Sequence, residues 1–431
     1  MLANQMAFNY IARGNHALYV TLLAESHARL ASHLAEMDFF DPSQLAESIF
    51  YVSGYSTLAN EGVNAVLELI AREAKTYGAT LVILDGLFVL EESVGSEKSF
   101  RKFINDLAML AEMMHCTILL LTNSQRNSSS PEYTMVDAWI EMHRLPVSYR
   151  TIRYLEAHKL RGSGFVDGQH TVTISNKGVR ILPRLEAVLG DPGKESAYKL
   201  KIISTGCNDL NPIVGGGVTQ GSVTLLEGPA GIGKTTLGLH FISECTPETP
   251  GLIYGFYESP ERLIHAARSR GIDLEQLIAT GAVEVVWHPP TELVMDALAY
   301  ELLEHVNARG IKRLLVDGLQ AFTQSAVYPE RVSRFLAALT NELRSAECTS
   351  IFTSETSSLF ARHLSTLPNG VSAIADNVLL LRYAERGASL HRTIAAVKLR
   401  DTSFDMHTHE FFITDQGFNI GAKFEGTIRT A

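Results

Sequence analysis

An apolar run that ends on aspartate occurs twice in this 431-residue chain. It reads Leu81-Val82-Ile83-Leu84-Asp85-Gly86-Leu87 in the first half and Leu314-Leu315-Val316-Asp317-Gly318-Leu319 in the second. Two further landmarks recur in the same order. Ala17 to Ser26, ending on Glu25-Ser26, matches Leu252 to Ser259, ending on Glu258-Ser259, and Lys159-Leu160-Arg161 matches Lys398-Leu399-Arg400. The offsets, 233 (258 − 25), 232 (317 − 85) and 239 (398 − 159), are nearly constant, so the chain is an internal duplication. Helical spacing fills the intervals: Val63 to Ala74 and Phe100 to Met114, then Leu293 to Val306 and Val332 to Leu343. Strands alternating with amphipathic helices predict an α/β fold in each half, a mostly parallel sheet with helices on both faces. The expected domains are 1–183 and 201–431. Between them, 184–200 carries Gly190, Asp191, Pro192, Gly193 and Lys194, which is linker chemistry. Ser128-Ser129-Ser130-Pro131 reads as a flexible loop inside the first domain.

The second half holds one element without a match. Residues 228–236 are Gly228, Pro229, Ala230, Gly231, Ile232, Gly233, Lys234, Thr235 and Thr236, between the apolar run Val223 to Leu226 and the helix-like stretch Leu237 to Ile242. This is the G-x-x-x-x-G-K-[ST] phosphate loop in strand–loop–helix context. Backbone N–H groups of such a loop surround a β-phosphate, and the following helix adds its positive end. Lys234 is expected to reach the β- and γ-phosphates and Thr235 to ligate Mg²⁺, so the chain is expected to bind a magnesium nucleotide.

Aligning the halves places Met1 to Met6 on Thr236 to Phe241. The first domain thus starts inside its own phosphate-loop helix and lacks both the loop and the strand before it. In a sheet of this kind that strand is central, so its loss predicts a slot of unpaired backbone groups. Two origins are expected: a start codon assigned too late, or a truncated relic whose slot is filled otherwise.

Bulk properties exclude several classes. No apolar run spans a bilayer, because Asp85 interrupts the best candidate, Leu81 to Leu90. No basic region followed by a small-residue cleavage site marks a signal peptide. Cys116, Cys207, Cys245 and Cys348 lack C-x-x-C spacing, which fits a reducing cytoplasm and offers no metal framework. A net charge of −10 argues against a sequence-independent nucleic-acid binder.

Ligands of such sheets sit beyond the carboxyl ends of the strands, where the phosphate loop, Asp317 and Glu258 are expected to converge. Asp317, at a strand end, is the candidate for the Mg²⁺ shell, and Glu258, at the next strand end, the candidate to orient or deprotonate water. Asp85 and Glu25 are their counterparts, with no phosphate loop to serve. Lys398 and Arg400 flank Leu399 on a predicted strand, so both face one way and fit a cation pair aimed at a neighbouring subunit's γ-phosphate. Lys159 and Arg161 repeat the arrangement. His407 and His409 also share a predicted strand face beside Glu410, without a third and fourth metal ligand at readable spacing.

These segments together resemble the KaiC family, two-domain circadian-clock-type ATPases of the RecA superfamily. Ser204-Thr205-Gly206-Cys207 with Gly215-Gly216-Gly217 resembles the family's entry to its first strand. Gly228 to Thr236 and Leu314 to Asp317 are similar to its Walker A and Walker B motifs. Phe256-Tyr257-Glu258-Ser259-Pro260 resembles the segment where the family carries two adjacent glutamates; here Tyr257 replaces the first. Gly162 follows the first Lys-Leu-Arg as in the family, and Asp401 follows the second. The resemblance implies tandem RecA-like domains, a homo-oligomeric ring, normally a hexamer, with ATP between subunits, and slow hydrolysis. It also implies, in clock members, phosphorylation of two adjacent hydroxyl residues. Those positions match Ser372 and Ala373, leaving Ser372 as the one candidate acceptor. Ending at Ala431, the chain is expected to lack the long C-terminal tail of the clock proteins. The reading is a cytoplasmic, regulatory Mg-ATP hydrolase that works with an unidentified protein partner. The alternatives are a serine autokinase, a DNA-dependent recombination or helicase ATPase of the RecA type, and a binder that holds ATP uncleaved.

Overall fold

The computed structural model describes residues 1–24, 27–123, 131–147, 150–189, 201–291, 293–356, 374–387 and 389–425. The chain divides into two units, Met1–Pro183 and Arg184–Ala431. In the first unit, β1 (Ala17–Thr21), β2 (Ile49–Ser53), β3 (Leu81–Asp85) and β4 (Thr117–Leu121) form a parallel sheet of order β2-β1-β3-β4. A second, antiparallel sheet contains β5 (Ala138–Val147), β6 (Arg150–Leu160), β7 (His170–Ser175) and β8 (Gly178–Leu182) in chain order.

The second unit joins the same pattern into one sheet. After a short β9 (Ile202–Ile203) and β10 (Val218–Thr219) come β11 (Val223–Gly228), β12 (Gly251–Gly255), β13 (Val283–Trp287), β14 (Arg313–Asp317) and β15 (Thr349–Glu355). β16 (Asn377–Arg386), β17 (Ser389–Leu399), β18 (His409–Thr414) and β19 (Gly417–Lys423) follow. The order is β13-β12-β14-β15-β11-β16-β17-β18-β19. Strand β11 pairs in parallel with β15 on one side and β16 on the other, and so fuses the parallel and antiparallel halves. Remove β11 from this order and the two four-stranded sheets of the first unit remain. Among the described residues no strand stands between β4 and β5.

Burial records the cost. Thr349 to Ser354 of β15 are all buried, whereas in β4 Thr117 is exposed and the rest are half-buried. Asn377 to Leu381 of β16 are buried, but β5 alternates exposed and half-buried residues throughout. Helix Leu2–Ile11 ties the first unit together. Ala3, Ala7, Phe8 and Ile11 pack on Ala17, Tyr19, Ile49, Leu81 and Ile83 of the parallel sheet. From the same helix the Gln5 amide brackets the β8 backbone, accepting from Val179 N (2.7 Å) and donating to Val179 O (3.2 Å).

The predicted helices form at Val63–Tyr77, Glu97–Met114, Met295–Arg309 and Val332–Ser345. In the second unit Leu298, Leu302, Val306, Phe335 and Leu339 from the last two join Leu252, Tyr254, Leu314 and Val316 in one core. One sequence expectation needs correction. The expected linker does not begin at 184: Leu185–Val188 is a helix, with Leu185 fully buried in that core. A polar anchor fixes it there, since Arg331 donates to Glu186 (2.7 and 3.1 Å) and to Asp296 (2.9 and 3.2 Å). A four-residue helix is too short to announce itself by periodicity. Residues 190–200 and 128–130 lie outside the described residues, and Pro131 opens a short helix, Pro131–Met135. No helix among the described residues is long and apolar enough to cross a membrane.

Candidate nucleotide site

Strand β11 ends at Gly228, and helix Lys234–Ser243 begins at Lys234. The loop between them reverses direction through Gly231 (φ +71°) and Gly233 (φ +123°), left-handed conformations open to glycine. Gly228 is needed for a different reason: a Cβ there would stand 2.7 Å from the carbonyl oxygen of Leu381 on β16. The glycines thus let the loop pass close to the sheet while its N–H groups and the helix N-terminus form one cradle. Lys234 folds back over this loop, its ammonium donating to the carbonyls of Gly228 (2.7 Å) and Pro229 (2.8 Å). Burial lowers its pKa, and Glu355 and Asp317 oppose that shift.

Asp317, at the end of β14, is reached by two hydroxyls. Thr235 donates to one carboxylate oxygen (2.9 Å) and Thr353, on the adjacent strand, to the other (2.6 Å). Burial nonetheless pushes Asp317 above its ordinary pKa; the two hydroxyls and Lys234 only partly offset this. A buried carboxylate short of positive charge, beside a threonine hydroxyl, is a hard-oxygen donor set suited to magnesium. Glu258 is also raised, by burial first and by Asp317 second, against Arg270 and Arg262. It does not end a strand as expected. β12 stops at Gly255, and Glu258 lies in the bend before helix Pro260–Arg268. Beside it Tyr257 lies over Gly318, where an added Cβ would meet its ring at 2.6 Å.

Lys234, Thr235, Asp317 and Glu258 therefore come together at the carboxyl ends of β11, β12 and β14. Sequence reasoning missed Thr353, which holds Asp317, and Glu355, which register pairs with Gly228. Gln320 braces that strand end, donating to Ser354 Oγ (3.1 Å) and to the Glu355 carbonyl (2.9 Å). The signal present was a polar Thr-Ser-Glu ending after the apolar pair Ile351-Phe352; its relevance follows from β15 lying beside β11.

Lys398 and Arg400 are on β17 and just past it, separated from β11 by β16. Arg400 is thus outside the strand expected to carry it. Lys398 donates to the carbonyl of Ala375 (2.6 Å), and Arg400 pairs with Asp376 (3.2 Å), which Arg344 also contacts. His407 and His409 do not share a strand face, because β18 begins at His409. Both turn to Asp405, which also accepts Lys423. In the first unit Asp85 accepts the Tyr19 hydroxyl (2.7 Å). Glu25, Ser372 and Ala373 lie outside the described residues.

A family profile described as "ATPase: KaiC" matches residues 1–186 and again 203–425. The circadian clock oscillator protein KaiC of Picosynechococcus sp. (strain ATCC 27264 / PCC 7002 / PR-6) is 25% identical over 379 residues, covering 86% of this chain and 72% of that protein. The protein of the same name from Synechococcus elongatus (strain ATCC 33912 / PCC 7942 / FACHB-805) is 24% identical over 377 residues, 86% and 71% of the two chains. That from Thermostichus vulcanus is 26% identical over 385 residues, 87% and 73%. With one profile matching both halves of the duplication, and a phosphate loop in the second, this chain belongs to the KaiC family of ATPases.

Proposed function

We propose that this chain hydrolyses Mg-ATP slowly at the subunit interfaces of a homo-oligomeric ring, a hexamer by analogy with its family, and works as a regulatory ATPase in the cytoplasm with a protein partner. The observation that carries the reading is the buried Asp317 carboxylate, held by Thr235 and Thr353 within the field of Lys234. In this reading residues 228–236 cradle the phosphates and Lys234 neutralises charge on the β- and γ-phosphates. Thr235 and Asp317 hold the magnesium, which when bound spreads the negative charge of the transferred phosphoryl group.

Glu258 takes the proton of the attacking water. Its raised pKa suits a base, since proton affinity near the working pH favours transfer. Tyr257 stands where a second carboxylate would add to the field, so the site works with a single base, consistent with slow turnover. Arg400, tied to Asp376 yet with a side chain 54% exposed, and Lys398 beside it are offered to a neighbouring subunit's nucleotide. The first unit supports the ring, and its Asp85 accepts the Tyr19 hydroxyl.

Steady-state phosphate release with native mass spectrometry of the same sample tests the reading. ATP-dependent assembly, and turnover abolished by Lys234→Ala, are expected. A chain that stays monomeric with Mg-ATP and turns over no faster than the variant refutes it.

A further inference from the structure

The antiparallel sheet of the first unit carries a second constellation, remote in sequence from the phosphate loop. Glu141 and His143 lie two apart on β5, and Glu156 and His158 two apart on β6. Register places Glu141 directly opposite Glu156. Two carboxylates facing each other across an antiparallel pair repel, so a cation is favoured between them. Both histidines turn to these carboxylates. Nε2 of His158 is 3.0 Å from Glu141 Oε2, and Nε2 of His143 is 3.7 Å from the same oxygen and 3.8 Å from Glu156 Oε2. That His143 nitrogen is shielded from solvent and has no hydrogen-bond partner.

Backbone and packing both aim His158 at this point. The β5–β6 register shifts between Trp139 and Ile140, which pair with Lys159 and Ala157, so His158 is the extra residue of a β-bulge. Bulges re-aim side chains in this way. The His158 ring then stacks on Trp139 (centroids 4.2 Å apart), and Trp139 on Tyr133 (4.3 Å). The second unit has the same bulge at Val397. The 239-residue offset that superimposes the Lys-Leu-Arg triplets (398 − 159) puts Leu380, Arg382, Ala395 and Val397 at the four positions. The bulge belongs to the repeat; the ligand set belongs to the first unit alone.

The geometry points to a transition-metal site, of the zinc class, formed by Glu141, His143 and His158 with Glu156 as fourth ligand. Ligands about 2.0–2.1 Å from a tetrahedral zinc stand about 3.3 Å from one another. The separations of 3.0, 3.7 and 3.8 Å bracket that value, and the ligand atoms of Glu141, His143 and His158 all lie within 4.8 Å of one another. Two imidazoles with carboxylates favour zinc over magnesium or calcium, which take oxygen ligands. Its role is structural. Among the described residues β5 pairs only with β6, and a metal bridging the two staples that edge.

The test uses the full chain with Zn²⁺ as probe, in excess Mg-ATP so that the phosphate-loop carboxylates are occupied. Wild type is expected to retain one Zn²⁺ per chain in competition with a chromophoric chelator. His143→Ala and His158→Val should each weaken binding at least about tenfold, the lower bound for losing even an outer-shell partner. His158→Val installs the residue that the same bulge carries in the second unit, a side chain that this backbone accommodates there. Co²⁺ should give four-coordinate d–d bands in wild type and lose them in both variants. Zn²⁺ should also slow amide exchange in β5 and β6. Absence of bound zinc, or affinity unchanged in both variants, overturns the assignment and leaves a cross-strand set of His–Glu ion pairs.

Discussion

Replacing Asp317 by asparagine separates the energetics of the empty site from those of the loaded one. The carboxyl is more basic in the folded chain than in the unfolded chain, because burial disfavours its charge. The folded state therefore holds the proton more tightly. Stability contributed by this group is lost as pH rises through the ordinary carboxylate range, and the loss is complete above the raised folded value. The substituted carboxamide would have no charge to bury, and it fits between the Thr235 and Thr353 hydroxyls, each able to donate or accept. Without nucleotide at neutral pH, Asp317→Asn is thus expected to melt at or above the wild-type temperature, the difference vanishing toward acid. With Mg-ATP the order reverses. A ligand at a hundred times its Kd stabilises by about 2.7 kcal/mol. In a unit of 248 residues (431 − 183) each kcal/mol moves Tm by about 2–4 °C, so wild type should gain about 5–11 °C. The variant should lose the magnesium-dependent part of that gain, read by differential scanning fluorimetry with ATP in magnesium or in EDTA. If Asp317→Asn melts well below wild type when empty, or keeps the full magnesium increment, the argument that this carboxylate is held ready for a cation is wrong.

Three further outcomes follow from other parts of the molecule. Because Glu258 is held above the usual carboxylate range and must be ionised to act as a base, turnover should fall as pH drops through that raised value; Glu258→Gln should lose about 10²–10⁴-fold in kcat and the acidic limb with it, and an unchanged profile would remove Glu258 from the chemistry. Arg331→Ala should destabilise the second unit by about 3–5 kcal/mol in urea unfolding, since it strands the buried Asp296 and the partly buried Glu186 carboxylate; a change under about 1 kcal/mol would mean that water replaces the guanidinium. Amides of β4 and β5 should exchange with deuterium faster than those of β15 and β16, which β11 covers; equal protection would show that the break between β4 and β5 is closed in solution.

What the sequence makes legible depends on how local the cause is. The phosphate loop could be read because its chemistry is contiguous: strand, glycines, lysine and helix follow one another within residues 223–243. The break between β4 and β5 could be read because the repeat supplies its own reference, the β15-β11-β16 order of the second unit. Glu355, Thr353 and the partners of Lys398 and Arg400 could not be read this way. Each acquires its role from a neighbour that only strand order provides: β15 beside β11, and Asp376 beside the end of β17. Helix Leu185–Val188 was hidden for a related reason, since its place depends on Arg331, 145 residues away from Glu186. The four groups on β5 and β6 needed both a hairpin register and a bulge before they converged. Asp85 draws the distinction most sharply. It ends an apolar strand as Asp317 does, yet it meets a tyrosine hydroxyl, whereas Asp317 meets the threonine that follows Lys234. The repeat therefore carries the instructions for stacking strands and helices in both halves, while in the second half β11 leads into the loop that brings Thr235 to the aspartate.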